Sequence, residues 1–429
     1  MRRIRKLSVI LLVAFAICFV AYGVGAKELP EGFIIKKDNV DGIMNDTFDG
    51  HTIKDLLSDQ LLNQIKDWGL KIKIRKPKLE TLDPRYVEAT KKFKGTTKYD
   101  PATRNCTGYQ AGLPFPDIDF ENDADAGEKL IWNFYYGALG GNTQYVPHSW
   151  LLIDADTGLE RRQDWFWLRY YMKNRLGKFA KGESPIIGKG DSFTKTLFFI
   201  TYPYDLKGVG LFTIRWDSPK LEDSWVYVKS VRRTRRLSGG NWIDPVGGLD
   251  MLNDDIWAWN GRPTWYKKIN YKGKRWVLAP ANSTMIGYHY SGRKDDPVEE
   301  FKSVALNEFP HWQPSTYVQW EPREVHIVEG IPPKKHPYSM RTGYMDTHIP
   351  YIYFAECYDK KGSFWKFLNY SSAPNKGEDG FIAIVSPQGH YIDTKLRHAS
   401  VHYCRIWEGN PTRISSNDVT LGKLREAGR

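Results

Sequence analysis

Ser149–Leu168 reads SWLLIDADTGLERRQDWFWL: an apolar run, an Asp-Thr-Gly turn, then a second run that becomes apolar and aromatic. Two such runs joined by turn residues predict an antiparallel hairpin. The same grammar repeats downstream. Leu197–Tyr202, the turn PYDLKG and Val209–Trp216 form a second hairpin, and Trp225–Val231 follows DSPKLED. NYKGKRWVLAP is expected to turn at Lys272-Gly273. Val325–Val328, Tyr351–Tyr358 and Phe364–Tyr370 continue the series, the last two joined by Asp359–Gly362. The predicted fold class is therefore mainly β: an antiparallel meander over residues 106–410, with no βαβ alternation. A large sheet with an apolar face must cover that face or curl on itself. Few amphipathic helices follow residue 130, so the expectation is a curved half-barrel around an apolar cavity. Residues 240–262 are expected to form a long aromatic loop or helix pair, and Ile331–His336 a proline-broken crossing.

Upstream, residues 27–105 predict a mostly helical region. Leu56, Leu57, Leu61, Leu62 and Ile65 recur at helical spacing. Asp83-Pro84 is a cap followed by proline at the first helical position. Residues 411–429 read as a polar C-terminal tail. At the other end, Arg2, Arg3, Arg5 and Lys6 precede the apolar run Leu7–Val20 and the small residues Val24-Gly25-Ala26. That is a signal peptide cleaved after Ala26, and it predicts export, most simply to a bacterial periplasm. Cleavage removes four basic side chains and no acidic one, so the formal charge of +12 becomes +8. So mild a surplus demands no nucleic acid, and anionic lipid head groups suit an exported chain better. The composition, 41% hydrophobic with 16 Trp and 25 Tyr, points to extended β structure and aromatic-lined surfaces. Cys106, Cys357 and Cys404 remain after cleavage. Their spacing matches no haem or zinc motif, which leaves buried thiols or one disulfide; for an oxidising compartment the hypothesised pair is Cys357 with Cys404.

Six short stretches carry a family likeness: GLPFP (Gly112–Pro116), IWNFYY (Ile131–Tyr136), YPYDLKGVGLFTIRW (Tyr202–Trp216), WVYVKSVRRTRRL (Trp225–Leu237), DDIWAWNGRPTWY (Asp254–Tyr266) and YDKKGSFWK (Tyr358–Lys366). In that order the chain resembles an uncharacterised family of secreted proteobacterial proteins known as outer-membrane lipoprotein-sorting-like. The resemblance implies a fold similar to the periplasmic lipoprotein carriers, a curved antiparallel half-barrel closed by helices and holding acyl chains. It also implies the company of a resistance-nodulation-division exporter and an outer-membrane β-barrel. The family's Tyr-x-Pro-Gly turn is replaced here by Tyr227-Val228-Lys229-Ser230, which puts the shape of that hairpin in doubt.

No GxSxG, HExxH, P-loop or dinucleotide fingerprint occurs, so neither a catalytic residue nor a cofactor is expected. Asp254-Asp255 beside Trp257 and Trp259 has the residue types of a glycosidase, but adjacent acids do not set the separation that chemistry needs. The acidic run Asp117–Asp125 lacks the calcium-loop glycine. His398, His402 and Cys404 share strand parity, yet no further ligand completes a metal set. Arg232, Arg233, Arg235 and Arg236 read either as a rim for anionic head groups or as a solvated, charge-protected edge strand. Phe212, Trp216, Trp225, Tyr227 and Trp265 are the candidate lining for a lipid or other hydrophobic cargo. The leading expectation is thus a periplasmic carrier or adaptor, with peripheral membrane contact and no nucleic-acid partner. A cell-envelope glycan binder and an envelope hydrolase are the alternatives.

Overall fold

The computed structural model describes residues 26–137, 139–176, 190–237, 239, 241–283 and 300–428. The predicted signal peptide, apart from Ala26, lies outside them. The predicted hairpin is present as β1 (Thr143–Asp154) and β2 (Gly158–Tyr171), paired antiparallel with Val146 opposite Trp167. Then come β3 (Ser192–Tyr202), β4 (Gly210–Trp216), β5 (Asp223–Val228) and β6 (Arg233–Arg236). The second half supplies β7 (Lys268–Ala279), β8 (Gln319–Ile331), β9 (Met340–Asp346) and β10 (Ile352–Tyr358). It ends with β11 (Phe364–Tyr370), β12 (Gln388–Asp393) and β13 (His398–Cys404).

These thirteen strands belong to one open, curved sheet of sixteen, in the order β7-β8-β9-β10-β11-β12-β13-β1-β2-β3-β4-β5-β6. Three short strands complete it: Ile34–Ile35, Ile72–Ile74 and Glu408–Gly409. The chain is thus a meander whose last long strand returns to pair with its first, Ser400 opposite Leu152. Every pairing of the thirteen is antiparallel; Ile72–Ile74 meets Gln319–Trp320 in parallel. The strand β6 is a sheet edge, with Arg233, Arg235 and Arg236 exposed along it.

Three expectations are corrected. Lys272-Gly273 is no turn: β7 runs straight through it with a bulge between Tyr271 and Gly273, and Gly273 takes φ +111, a backbone angle that excludes most side chains. The disulfide is absent, since Cys106, Cys357 and Cys404 are all free and buried. Cys357 sits in β10 and Cys404 in β13 with two strands between them. Three strand spacings of about 4.8 Å exceed the reach of about 7 Å that a disulfide allows. Residues 27–105 are mixed rather than mostly helical, and two of their strands join the main sheet. The helix expected after Asp83-Pro84 is present, whereas the Leu56–Ile65 periodicity is split at Leu57 into helices Ile53–Leu56 and Asp59–Lys66. Ser58 accepts from the Leu61 N–H (3.1 Å) ahead of Asp59–Lys66, and Asp83 from the Arg85 N–H (2.8 Å) ahead of Pro84–Phe93.

Residues 241–265 fold as a loop with three short 3₁₀ turns, neither strand nor helix pair. Met251, Leu252, Ile256 and Trp259 are buried in the principal core with strand residues Trp150, Trp165, Phe198 and Tyr391. The C-terminal segment is not a bare tail. Its helix Leu421–Ala427 places Leu424, together with Val419, in a second core with Leu168, Leu197, Phe212 and Tyr227. A Cβ on Gly428 would stand 2.2 Å from the Tyr227 ring, so the helix end requires glycine there. Among the described residues no helix is long and apolar enough to cross a membrane.

Candidate functional site

Strand alternation separates β1–β5 into two faces. Leu168 and Tyr170 of β2, Leu197 of β3, Phe212 of β4 and Tyr227 of β5 turn toward the C-terminal helix. The intervening residues turn toward the 241–265 loop, and between sheet and loop the packing is incomplete. An apolar cavity of about 60 Å³ is bounded by Val146, Trp150, Trp165, Trp167, Phe198 and, from the loop, Trp257. A neighbouring cavity of about 70 Å³ is bounded by Gln144, Arg169, Tyr171, Arg215, Trp257 and Asn260. Trp167, Arg169, Phe198 and Arg215 also enclose a pocket of about 20 Å³ between these two. A wider opening of about 260 Å³ continues past Phe198 and Trp165 to Val209, Leu211 and Val226. Shared walls make the four spaces one interrupted passage. Its divider, Trp257, packs edge-on against Trp407 (5.3 Å) and holds φ +60, a strained backbone for a bulky residue.

The passage has an apolar end and a charged end. At the apolar end His148 donates from Nδ1 to the Val146 carbonyl (3.0 Å), and its ring lies 4.7 Å from that of His402. Burial lowers the His148 pKa to about 4 and takes His402 well below the ordinary value, the neighbouring His148 and His390 adding to the effect. Both rings are neutral at pH 7. At the charged end Arg215 donates from Nε to Glu222 (2.6 Å) and from Nη1 to Asn260 (3.2 Å). The rings of Tyr135 and Trp265 stand 5.7 and 5.6 Å from its guanidinium. Burial works most strongly against the charge, but Glu222, Tyr135 and Tyr171 together outweigh it and the Arg215 pKa rises. Arg169 donates from Nε to Thr196 Oγ1 (3.2 Å) and lies 4.9 Å over the Trp167 ring. Burial lowers its pKa.

Asp254 and Asp255 are not part of the passage. Both are fully buried, and each is saturated. Asp254 accepts from the Gly261 N–H (2.7 Å), the Tyr266 hydroxyl and His336 Nε2 (3.2 Å). Asp255 accepts from the Leu252 N–H (2.8 Å), the Tyr338 hydroxyl (2.7 Å) and Arg341. Arg341 also lies 3.2 Å from Asp254. Against burial, Arg341, His336 and Tyr266 hold the Asp254 carboxyl below its usual range. The pair fastens the loop to β9 and has no open side for a sugar.

A family model described as a protein of unknown function, DUF1329, matches residues 34–420. The chain belongs to the DUF1329 family. Its sequence matches no curated protein. A solved domain from Vibrio parahaemolyticus, whose name refers to outer-membrane lipoprotein sorting, is similar at 15% identity and TM-score 0.47, over 71% of this chain and 100% of that one. A DUF1329 protein from Desulfovibrio piger is similar at 15% identity and TM-score 0.44, over 70% and 98%. A LolA superfamily protein from Nitrosomonas europaea is similar at 13% identity and TM-score 0.36, over 66% and 91%.

In this DUF1329 chain the structure brings three of the five sequence-predicted lining residues together and leaves Trp216 and Trp265 apart from them. Phe212 and Trp225 stack at 5.7 Å, and with Tyr227 they occupy the face under the C-terminal helix, opposite to Thr213 and Arg215. Trp216 is held at the end of β4 by Asp223 (3.0 Å) and lies under Lys220 (4.2 Å). Trp265 backs Arg215 and donates to the Pro219 carbonyl (3.1 Å). Arg232, Arg233, Arg235 and Arg236 are exposed at the sheet edge, Arg236 pairing with Asp223. The replaced family turn is a 3₁₀ turn, Lys229–Val231, closed by Arg232 at φ +49. His398 bonds Asp250 (2.7 Å), apart from His402, and among the described residues no His, Cys, Asp or Glu group has metal-site geometry. Asp119 and Asp123 of the acidic run close local turns, Asp123 also pairing with Lys129 (2.5 Å). Sequence reading missed Arg169 and Arg215. The signal was there: one arginine stands in each of the aromatic runs WFWLRYY and GLFTIRW, at the parity of the passage.

Proposed function

We propose that the protein is a periplasmic carrier that holds the alkyl chain of a hydrophobic cargo between β1–β5 and the 241–265 loop, and passes it between an inner-membrane exporter and the outer membrane. The observation that carries this reading is the incompletely packed, aromatic-walled passage on one face of the sheet. Each buried CH₂ contributes about 0.8 kcal/mol, so six would supply roughly 5 kcal/mol before ordering costs. The enclosed spaces of about 60 and 70 Å³ are smaller than the roughly 150 Å³ cavity that admits benzene. Occupation therefore requires the divider Trp257 to turn aside, and its strained backbone is consistent with that duty.

A glycan-binding module needs exposed aromatic platforms. All sixteen tryptophans lie among the described residues, and each is buried or half-buried, which favours the carrier. Exposed arginines at β6 give the carrier a surface for anionic membrane.

Titration with a fluorescent alkyl probe tests the reading, because Trp150, Trp165 and Trp167 report on occupancy. Saturable one-site quenching is expected, and Val146→Phe, which fills the cavity of about 60 Å³, should abolish it while leaving the protein as stable or more so. Absence of saturable quenching in the unmodified protein would overturn the carrier.

A further inference from the structure

The charged end of the passage is unbalanced. Two guanidiniums, Arg169 and Arg215, line the same two spaces, of about 70 and 20 Å³. A single carboxylate, Glu222, faces them, and both of its contacts with Arg215 run through one oxygen. Its other oxygen has no hydrogen-bond partner. Arg169 forms no ion pair among the described residues. Its polar neighbours are the hydroxyls of Thr196 and Tyr171, not a carboxylate, though only 9% of its surface is exposed. Buried charges in folded proteins are ordinarily paired, so a buried surplus guanidinium beside a cavity marks a place for an anion. The geometry supplies the rest of the ligand. Arg169 and Arg215 lie on β2 and β4, with Thr194 and Thr196 of β3 between them. Trp167 and Phe198 line the small charged pocket and the apolar cavity alike. A molecule with its head between the arginines would lay its chain directly along these two rings.

We infer that the passage takes a single-chain amphiphile with an anionic head, carboxylate or phosphate, bound by Arg169 and Arg215. This deepens the carrier reading and rests on it: the chain supplies the binding energy and the head fixes its orientation. Bidentate guanidinium contacts suit both anions. Arg169 acts by touching the ligand, not by supporting the sheet.

The test titrates the mature protein with laurate, dodecyl phosphate and dodecanol, each below its aggregation limit, following tryptophan fluorescence. At least one of the two anions should bind about tenfold tighter than the alcohol. Preference for laurate alone identifies a carboxylate head, and preference for dodecyl phosphate alone a phosphate head. In Arg169→Met the anions should fall to the affinity of the alcohol, which itself stays unchanged, and Arg169→Lys should keep most of the preference. Unchanged dodecanol binding shows that the variant is folded and its passage intact. Equal binding of all three ligands by the unmodified protein would overturn the inference while leaving the carrier standing. Anion preference that survives Arg169→Met would overturn it too. Failure of all three to bind would bring down the carrier reading and this inference together.

Discussion

Two buried ionic clusters lie along the same 241–265 loop, and they are opposites. Around Asp254 and Asp255 every carboxylate oxygen has a donor, and Arg341 bridges the two acids. Around Arg169 and Arg215 there is one carboxylate for two guanidiniums, with open volume beside them. The first is a finished structural joint, because low dielectric makes satisfied polar groups rigid and unsatisfied ones costly. The second carries an uncompensated group into a cavity, a cost that packing alone has no reason to bear. Burial by itself therefore does not tell a joint from a site. The balance of charges and the adjacent space do.

The strongest way to break this comparison is Arg341→Met. It would strand two buried carboxylates, and the expected loss is about 3–5 kcal/mol in urea unfolding. A loss below about 1 kcal/mol would mean that the acids are not held as anions.

Protonation sharpens the contrast next. His148 and His390 are neutral, burial holding the pKa of each at about 4 against an ordinary 6.5. Their folded pKa values are depressed, so the unfolded chain binds more protons between those limits. The stability they contribute is complete above about pH 6.5 and falls as the pH drops toward 4, by about 3 kcal/mol for each ring. Glu80 works the other way. Burial raises its pKa to about 7, so its contribution is complete below the ordinary 4.5 and is lost as the pH climbs through 7. The wild-type curve sums these opposing slopes, so the measurement is a difference: His390→Asn should remove one histidine's share of the acid slope. Identical slopes in the two proteins would refute the neutral assignment. The smallest effect belongs to the edge. Arg233→Ala with Arg235→Ala should change stability by no more than about 0.5 kcal/mol and leave alkyl-probe binding intact, while weakening adsorption to anionic vesicles. Unchanged adsorption would reduce β6 to a protected edge.

Local chemistry made much of the scaffold legible. The turn at Asp156-Thr157-Gly158 joins β1 to β2, Phe364–Tyr370 is a strand at the predicted limits, and Asp83-Pro84 starts a helix. Each depends on residues within a few positions of one another. NYKGKRWVLAP misled because glycine after lysine serves a bulge as well as a turn, and only the pairing of β7 with β8 distinguishes the two.

The candidate site was less legible for a different reason. In β2 and β3 both faces are aromatic: Trp165 and Trp167 alternate with Phe166 and Leu168, and Phe198 lies between Leu197 and Phe199. Alternation dictates that neighbours oppose each other, but it does not say which side meets the cavity. The amino-acid sequence by itself determined many of the strands, the Asp-Thr-Gly turn and the helix cap at Asp83, because those are settled by short-range sterics and hydrogen bonding. The tertiary structure alone decided that β13 closes onto β1, that the C-terminal helix covers Phe212 and Tyr227, and that Arg169 is left facing open space. These depend on contacts between segments far apart in the chain, where no local preference acts and the outcome rests on which apolar face finds a cover.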